Sequence, residues 1–218
     1  MISLFTISAS SPTPTCRTGA RMLAVVVAVL LMSGSAHAFG FRYGIEWGYT
    51  GTFYETHHYN YLSDVGARVD VNSQGPVYYS NGDILGYAGL IMGRHIEADV
   101  VCGWAGVVQG RRVVPVMARG TYFFNGTCQD GLKVYVDGGL CLARTSGSQL
   151  CPIARAGCGY RLMLTERTAL DFSAALQGIS DHPDDVYVTE YHYSVPPESL
   201  RRSDRRYAGL TLSLALSF

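Results

Sequence analysis

Residues 208–218 read Ala-Gly-Leu-Thr-Leu-Ser-Leu-Ala-Leu-Ser-Phe, and this stretch decides the fold. Ala208, Leu210, Leu212, Leu214, Leu216 and Phe218 alternate with Gly209, Thr211, Ser213, Ala215 and Ser217. A period of two sets one wholly apolar face against one small, weakly polar face. That is the pattern of a strand lying between two different media.

Upstream, the same alternation predicts about eight strands in all, the smallest common number for a closed membrane barrel. Residues 41–54 place Phe41, Tyr43, Ile45, Trp47 and Tyr49 opposite Arg42, Gly44, Glu46, Gly48 and Thr50. Further strands are expected over residues 84–92, 96–107, 113–123, 132–142, 154–164 and 170–177. The facing of the second is left open, because both its faces are apolar or Gly-rich. Pro115 should interrupt the ladder of the fourth.

Connection lengths alternate as well. Gly93-Arg94-His95, residues 125–131 and Glu166-Arg167 are short, whereas residues 56–82 and 180–205 are long, polar and Pro-containing. Membrane barrels pair short periplasmic turns with longer outer loops, so both long segments are expected as extracellular loops.

At the other end of the chain, Arg17 and Arg21 precede an apolar run from Met22 to Met32, followed by Ser33-Gly34-Ser35-Ala36-His37-Ala38. A positive flank, a short apolar core and a small-x-small ending predict a signal peptide over residues 1–38, with Met22 an alternative start. Spanning a bilayer as a helix takes about 20 apolar residues, more than this run offers. Residues 39–218 then form one domain. All 17 acids but only 15 of the 17 bases lie in that domain, a net charge of −2. Nothing there points to nucleic acid.

The facing decides what kind of barrel this is. One set of faces carries five bases, Arg42, Arg119, Lys133, Arg155 and Arg161, and five acids, Glu46, Glu97, Asp99, Asp137 and Asp171. With apolar faces outward these ten line the lumen. An eight-stranded barrel is just wide enough for its side chains to fill the interior. Buried charges must pair, so a salt-bridged, largely plugged lumen is expected. A soluble lipocalin-like barrel, with the faces reversed, is the alternative.

Leader, alternation, loop asymmetry and final Phe together resemble the small bacterial outer-membrane β-barrel class, with the OmpA-like barrel domain nearest in architecture. The resemblance implies an all-β, closed antiparallel up-and-down transmembrane barrel in the bacterial outer membrane. It implies contact with membrane lipid and lipopolysaccharide. It also implies recognition of the last strand, through Leu210, Leu212, Leu214, Leu216 and Phe218, by the barrel-insertion machinery.

Few residues suggest chemistry. Cys141 and Cys151 flank one expected outer hairpin and are the preferred disulfide, since exported proteins can form such bonds. No Cys or His cluster has metal-ligand spacing, and no Gly-rich phosphate fingerprint occurs, so no metal or cofactor is expected. Asn125-Gly126 reads as turn chemistry. His192-Tyr193-Ser194, near Glu198, resembles the His-x-Ser of lipid A deacylase barrels, but Val195 stands where that family has Asn. The reading is therefore a non-enzymatic barrel with a structural or surface-binding role, its long loops free to meet an extracellular ligand. A barrel hydrolase using Ser194 and His192 is the alternative.

Overall fold

A computed structural model describes residues 40–63, 65–108, 111–143, 150–183, 186–188 and 193–218. The expected signal peptide lies outside the described residues. In chain order the strands are β1 (Gly40–Leu62), β2 (Arg68–Ile91), β3 (Ile96–Val108), β4 (Arg111–Phe123) and β5 (Gly131–Ala143). Then come β6 (Leu150–Met163), β7 (Ala169–Asp181), β8 (Val186–Val188), β9 (Tyr193–Val195) and β10 (Leu200–Ser217). Eight of them close a barrel in the order β1-β10-β7-β6-β5-β4-β3-β2, every neighbour antiparallel, while β8 and β9 form a separate two-stranded sheet. The fold is an all-β, closed, up-and-down barrel.

Three short turns mark one end, at residues 92–95, 124–130 and 164–168. Gly93 supplies the left-handed φ of +84° that the first of them needs. In the second, the Asn125 side-chain amide donates to the Asp130 carbonyl at 2.8 Å, the turn role expected of it. β1 begins and β10 ends at this turn end, where Phe218 and Tyr43 exchange backbone hydrogen bonds at 2.8 and 3.2 Å. Following the ladder from Gly44 through Tyr87, Val101, Met117, Gly139, Ile153, Ile179 and Tyr207 leads back to Glu55, eleven positions along β1. This stagger is what tilted strands require in order to close.

Alternation sorts the side chains cleanly. Phe41, Trp47, Ile84, Val100, Val136, Leu176 and Leu212 point outward and are exposed, whereas Arg42, Glu46, Asp137, Arg155 and Arg161 are buried inside. The facing of β2 is now fixed: Asp83, Leu85 and Tyr87 point inward and Ile84 outward. Of the aromatic residues near strand ends, Phe53, Tyr54, Tyr122, Phe124 and Phe218 are exposed, while Phe123 and Tyr207 turn inward. Pro115 breaks only one of its two ladders. Pairing of β4 with β3 stops at Cys102↔Val116 and resumes at Ala105↔Val113, yet Pro115 still faces Cys141 on β5.

The two long segments are not simple loops, which corrects the sequence reading. β1 and β2 continue through residues 56–82 as a hairpin whose last ladder pair is Leu62 with Arg68. Within residues 180–205 lie the end of β7, β8, β9, a 3-10 turn at Pro197–Ser199 and the start of β10. β2 pairs with β3 only from Asp83 to Ile91, and β10 pairs with β7 only from Arg205 to Ser217. Strands β2, β1 and β10 therefore run on past the rim as a three-stranded extension. Beyond the rim only a few side chains are buried, so the sustained alternation that signals a strand disappears. Pro76 is tolerated because β2 has no described neighbour on its far side there. The extension has a small core of its own, Tyr59, Tyr61 and Val195 with Val69 and Leu200 against them.

A bulge at Phe53 connects the two regions. Thr52 pairs with Gly209 and Tyr54 with Ala208, so Phe53 is the extra residue. Below it the even-numbered residues of β1 point inward; above it Glu55, Tyr59 and Tyr61 do. Deleting Phe53 restores a single parity and turns those three outward. Limited proteolysis of the deletion variant is expected to cut within residues 56–74 while the barrel resists. Protection of that region equal to the parent's would show the bulge to be dispensable.

Candidate functional site: the charged lumen

All ten charged residues singled out from the sequence lie inside the barrel and are buried. They form two groups. Nearest the turns, Arg161 forks onto Asp171, its direct cross-strand neighbour, with both hydrogen bonds at 2.8 Å. Lys133 donates to the same carboxylate at 2.7 Å. Arg42 and Arg161 each reach Glu97 at 3.2 Å and the Thr127 carbonyl at 3.0 Å. The Arg161 guanidinium also lies 4.1 Å from the centre of the buried Phe123 ring, a cation–π contact.

Thr127 belongs to the turn between β4 and β5. Its buried position shows that this turn folds under the barrel mouth. Its N–H donates to the Arg94 carbonyl at 2.8 Å, which ties it to the neighbouring turn. The carbonyl it presents inward is held by two arginines. Phe123, Thr127 and the five charges around them close the turn end.

Halfway up, Arg119 forks onto Asp137 at 2.8 and 2.9 Å and donates to Glu46 at 2.6 Å. The Tyr135 ring lies 4.7 Å from its guanidinium carbon. Arg155 is looser, 3.4 Å from Asp83 and 3.9 Å from Glu46. Asp99 sits opposite Arg119 in the ladder, yet its Oδ1 accepts no hydrogen bond. Bidentate arginine–carboxylate pairs are the strongest of these contacts, because geometry and charge act together.

Beside and above the middle charges the lining changes. Leu85, Val101, Ala105, Val107, Val113, Met117, Ile153 and Ile179 pack as one buried apolar cluster. Cys141 and Cys151 belong to it and face each other across the β5–β6 ladder. Cys151 Sγ donates to Asp181 at 3.1 Å, and no disulfide joins the two. Cys102 and Cys158 point outward.

The other sequence candidates are dispersed. Leu210, Leu212, Leu214, Leu216 and Phe218 form the outward row of β10. Ser194 lies on β9 opposite Tyr187, Glu198 is exposed on the 3-10 turn, and His192 falls outside the described residues. His58 Nε2 lies 2.7 Å from Asp70 on the extension and, with Asn60, holds that carboxyl below its usual range. His57 stacks on Tyr59 with ring centres 5.2 Å apart.

No protein-family model and no curated protein matches the sequence. Among solved structures, the outer membrane protein OprG from Pseudomonas aeruginosa is similar at 11% identity and a TM-score of 0.43, over 81% of this chain and 94% of that one. The outer membrane protease OmpT from Escherichia coli is similar at 10% identity and a TM-score of 0.32, over 84% of this chain and 99% of that one. Both likenesses are of barrel shape; the fold described above rests on the ladder itself.

Sequence reasoning missed Asp83, Glu55, Asp181 and the whole apolar layer. Asp83 follows from continuing the Leu85–Tyr87–Gly89 face upward, a signal masked by Gly82, Gly86 and Ala88 on the other face. Arg119 is the centre of the middle group, and removing it strands two buried carboxylates. Arg119→Met is expected to destabilise the barrel by about 3–5 kcal/mol. Urea unfolding of the reconstituted protein measures this, and adding Glu46→Gln and Asp137→Asn should restore most of the loss. A cost near zero for Arg119→Met would mean the group does not hold the lumen together.

Proposed function

We propose that the chain is a non-enzymatic integral β-barrel of the bacterial outer membrane, with a salt-bridged, largely plugged lumen and an extension reaching outside the cell. One observation carries this reading: the facing is inverted relative to a water-soluble barrel. Val136 and Leu176 on the outside are 63% and 62% exposed, whereas Arg155 and Asp137 inside are 2% and 0% exposed. Water cannot favourably cover such a belt, but hydrocarbon can, and closing the ring leaves no open sheet edge within it. A lipocalin-like barrel needs its apolar side chains inward.

The role follows from what the lumen can and cannot do. Charges held at hydrogen-bonding distance across the ring, and a turn drawn beneath them, leave no wide path for solutes. Arg155 Nε and Nη1, Glu46 Oε1, Asp83 Oδ1 and Gln177 Oε1 have no hydrogen-bond partner among the described residues. Small pockets of bound water meet that demand. The belt contacts lipid and lipopolysaccharide, and the outward row of β10 serves the insertion machinery. The extension, rich in Tyr, His and Arg, is the surface for an extracellular ligand. In the oxidising periplasm Cys141 and Cys151 are the pair to form a disulfide, since directly opposed strand residues lie within the Cα separation such a bond spans.

Unheated protein from the outer-membrane fraction should migrate differently from boiled protein in detergent gels. It should show no large, stable conductance in planar bilayers. Protein confined to the soluble periplasm, or wide-pore currents from the pure protein, would overturn the reading. Replacing residues 57–73 by Asn-Gly should preserve the heat shift and abolish ligand binding by intact cells. For the disulfide, peptide mapping after alkylation without reductant should recover Cys141 joined to Cys151; two alkylated thiols there would exclude the bond.

A further inference from the structure

Among the described residues, grooves indent the outer surface of the barrel, and three of them bear on lipid contact. One is lined by Trp47, Tyr49, Phe172, Leu212 and Leu214, and another by Ile96, Tyr122, Val134 and Val136. Neither carries a charge. The third crosses β6, β7 and β10 near the rim, over Pro152, Ala154, Gly178 and Ser180, and ends at Arg206. Its floor is low because the outward residues are small, and a Cβ placed on Gly178 would meet nothing within 4 Å. Arg206 stands opposite Ser180 in the ladder, exposed, with no acidic partner among the described residues.

Position makes this groove distinct. Below Arg206 the outward row of β10 is apolar from Ala208 to Phe218; above it come Asp204 and Arg202, bound to each other. Arg206 therefore marks the height at which the belt gives way to polar surface. An unpaired guanidinium above an open apolar trough complements a molecule with an anionic head and an aliphatic tail. Resting on the membrane reading given above, that height is the headgroup level of the outer leaflet. We propose that this groove binds a phosphorylated glycolipid of the outer leaflet, its phosphate on Arg206 and one acyl chain along Pro152, Ala154 and Gly178.

Native mass spectrometry of the full protein, extracted from vesicles of phosphatidylcholine with added lipid A, counts the glycolipid retained. Arg206→Gln removes the charge and Gly178→Leu fills the trough. Each should weaken retention about tenfold, the worth of one charge-assisted hydrogen bond or of a blocked contact. Arg112→Gln, which removes another exposed and unpaired arginine away from the groove, should leave retention unchanged. Dephosphorylated lipid A should behave with the parent as lipid A does with Arg206→Gln. Equal retention by parent and both groove variants, or equal loss in Arg112→Gln, would overturn the site. The heat shift separates the two readings: variants that keep it test the groove alone, and a parent without it removes the groove together with the membrane barrel.

Discussion

In a closed antiparallel ladder each side chain has only two places to point, and the choice alternates with every residue. Everything else in this molecule depends on that parity. It collects Arg, Lys, Asp and Glu from seven strands into one narrow space and leaves most Leu, Val and aromatic rings outside. Because the interior is small, charges placed there by parity are within reach of one another. Their mutual pairing is a consequence of ring size as much as of sequence.

Parity also explains where the molecule changes character. The extra residue at Phe53 reverses it in β1 at the rim, so that Glu55 and Tyr59 continue the inner surface into the extension. Without a bulge, β1 would have to exchange its inner and outer residues to do the same. Arg205 profits from the new phase, meeting Glu55 at 3.1 Å and the Tyr59 ring at 5.5 Å.

The barrel was legible where one face is apolar and the other charged, as in Phe41–Thr50 or Leu132–Leu142. Where either condition failed, so did the reading. Most of residues 56–82 is strand but carries no sustained apolar face, and Pro76 read as a loop residue because an edge position cannot be recognised from one strand alone. The upper lumen was invisible for the opposite reason: Val101, Met117 and Ile153 are apolar although they point inward, and period two says nothing about which apolar face meets lipid. The ten charges could be named, but not their partners. Glu97 serves Arg42 and Arg161 from strands that are not its neighbours in sequence.

Those partnerships fall into two kinds with different histories. Arg161–Asp171 and Arg119–Asp137 join adjacent strands, so a single hairpin, β6–β7 or β4–β5, can form each of them early. Lys133–Asp171 and Arg42–Glu97 reach over one intervening strand, so the three-stranded units β5–β7 and β1–β3 suffice for them, but Arg119–Glu46 and Arg155–Asp83 span strands that meet only as the ring closes. Until β1 and β10 zip together these charges have nothing to replace water. Dehydration of the interior and completion of the seam are thus one event, and a half-wound barrel stays wet inside.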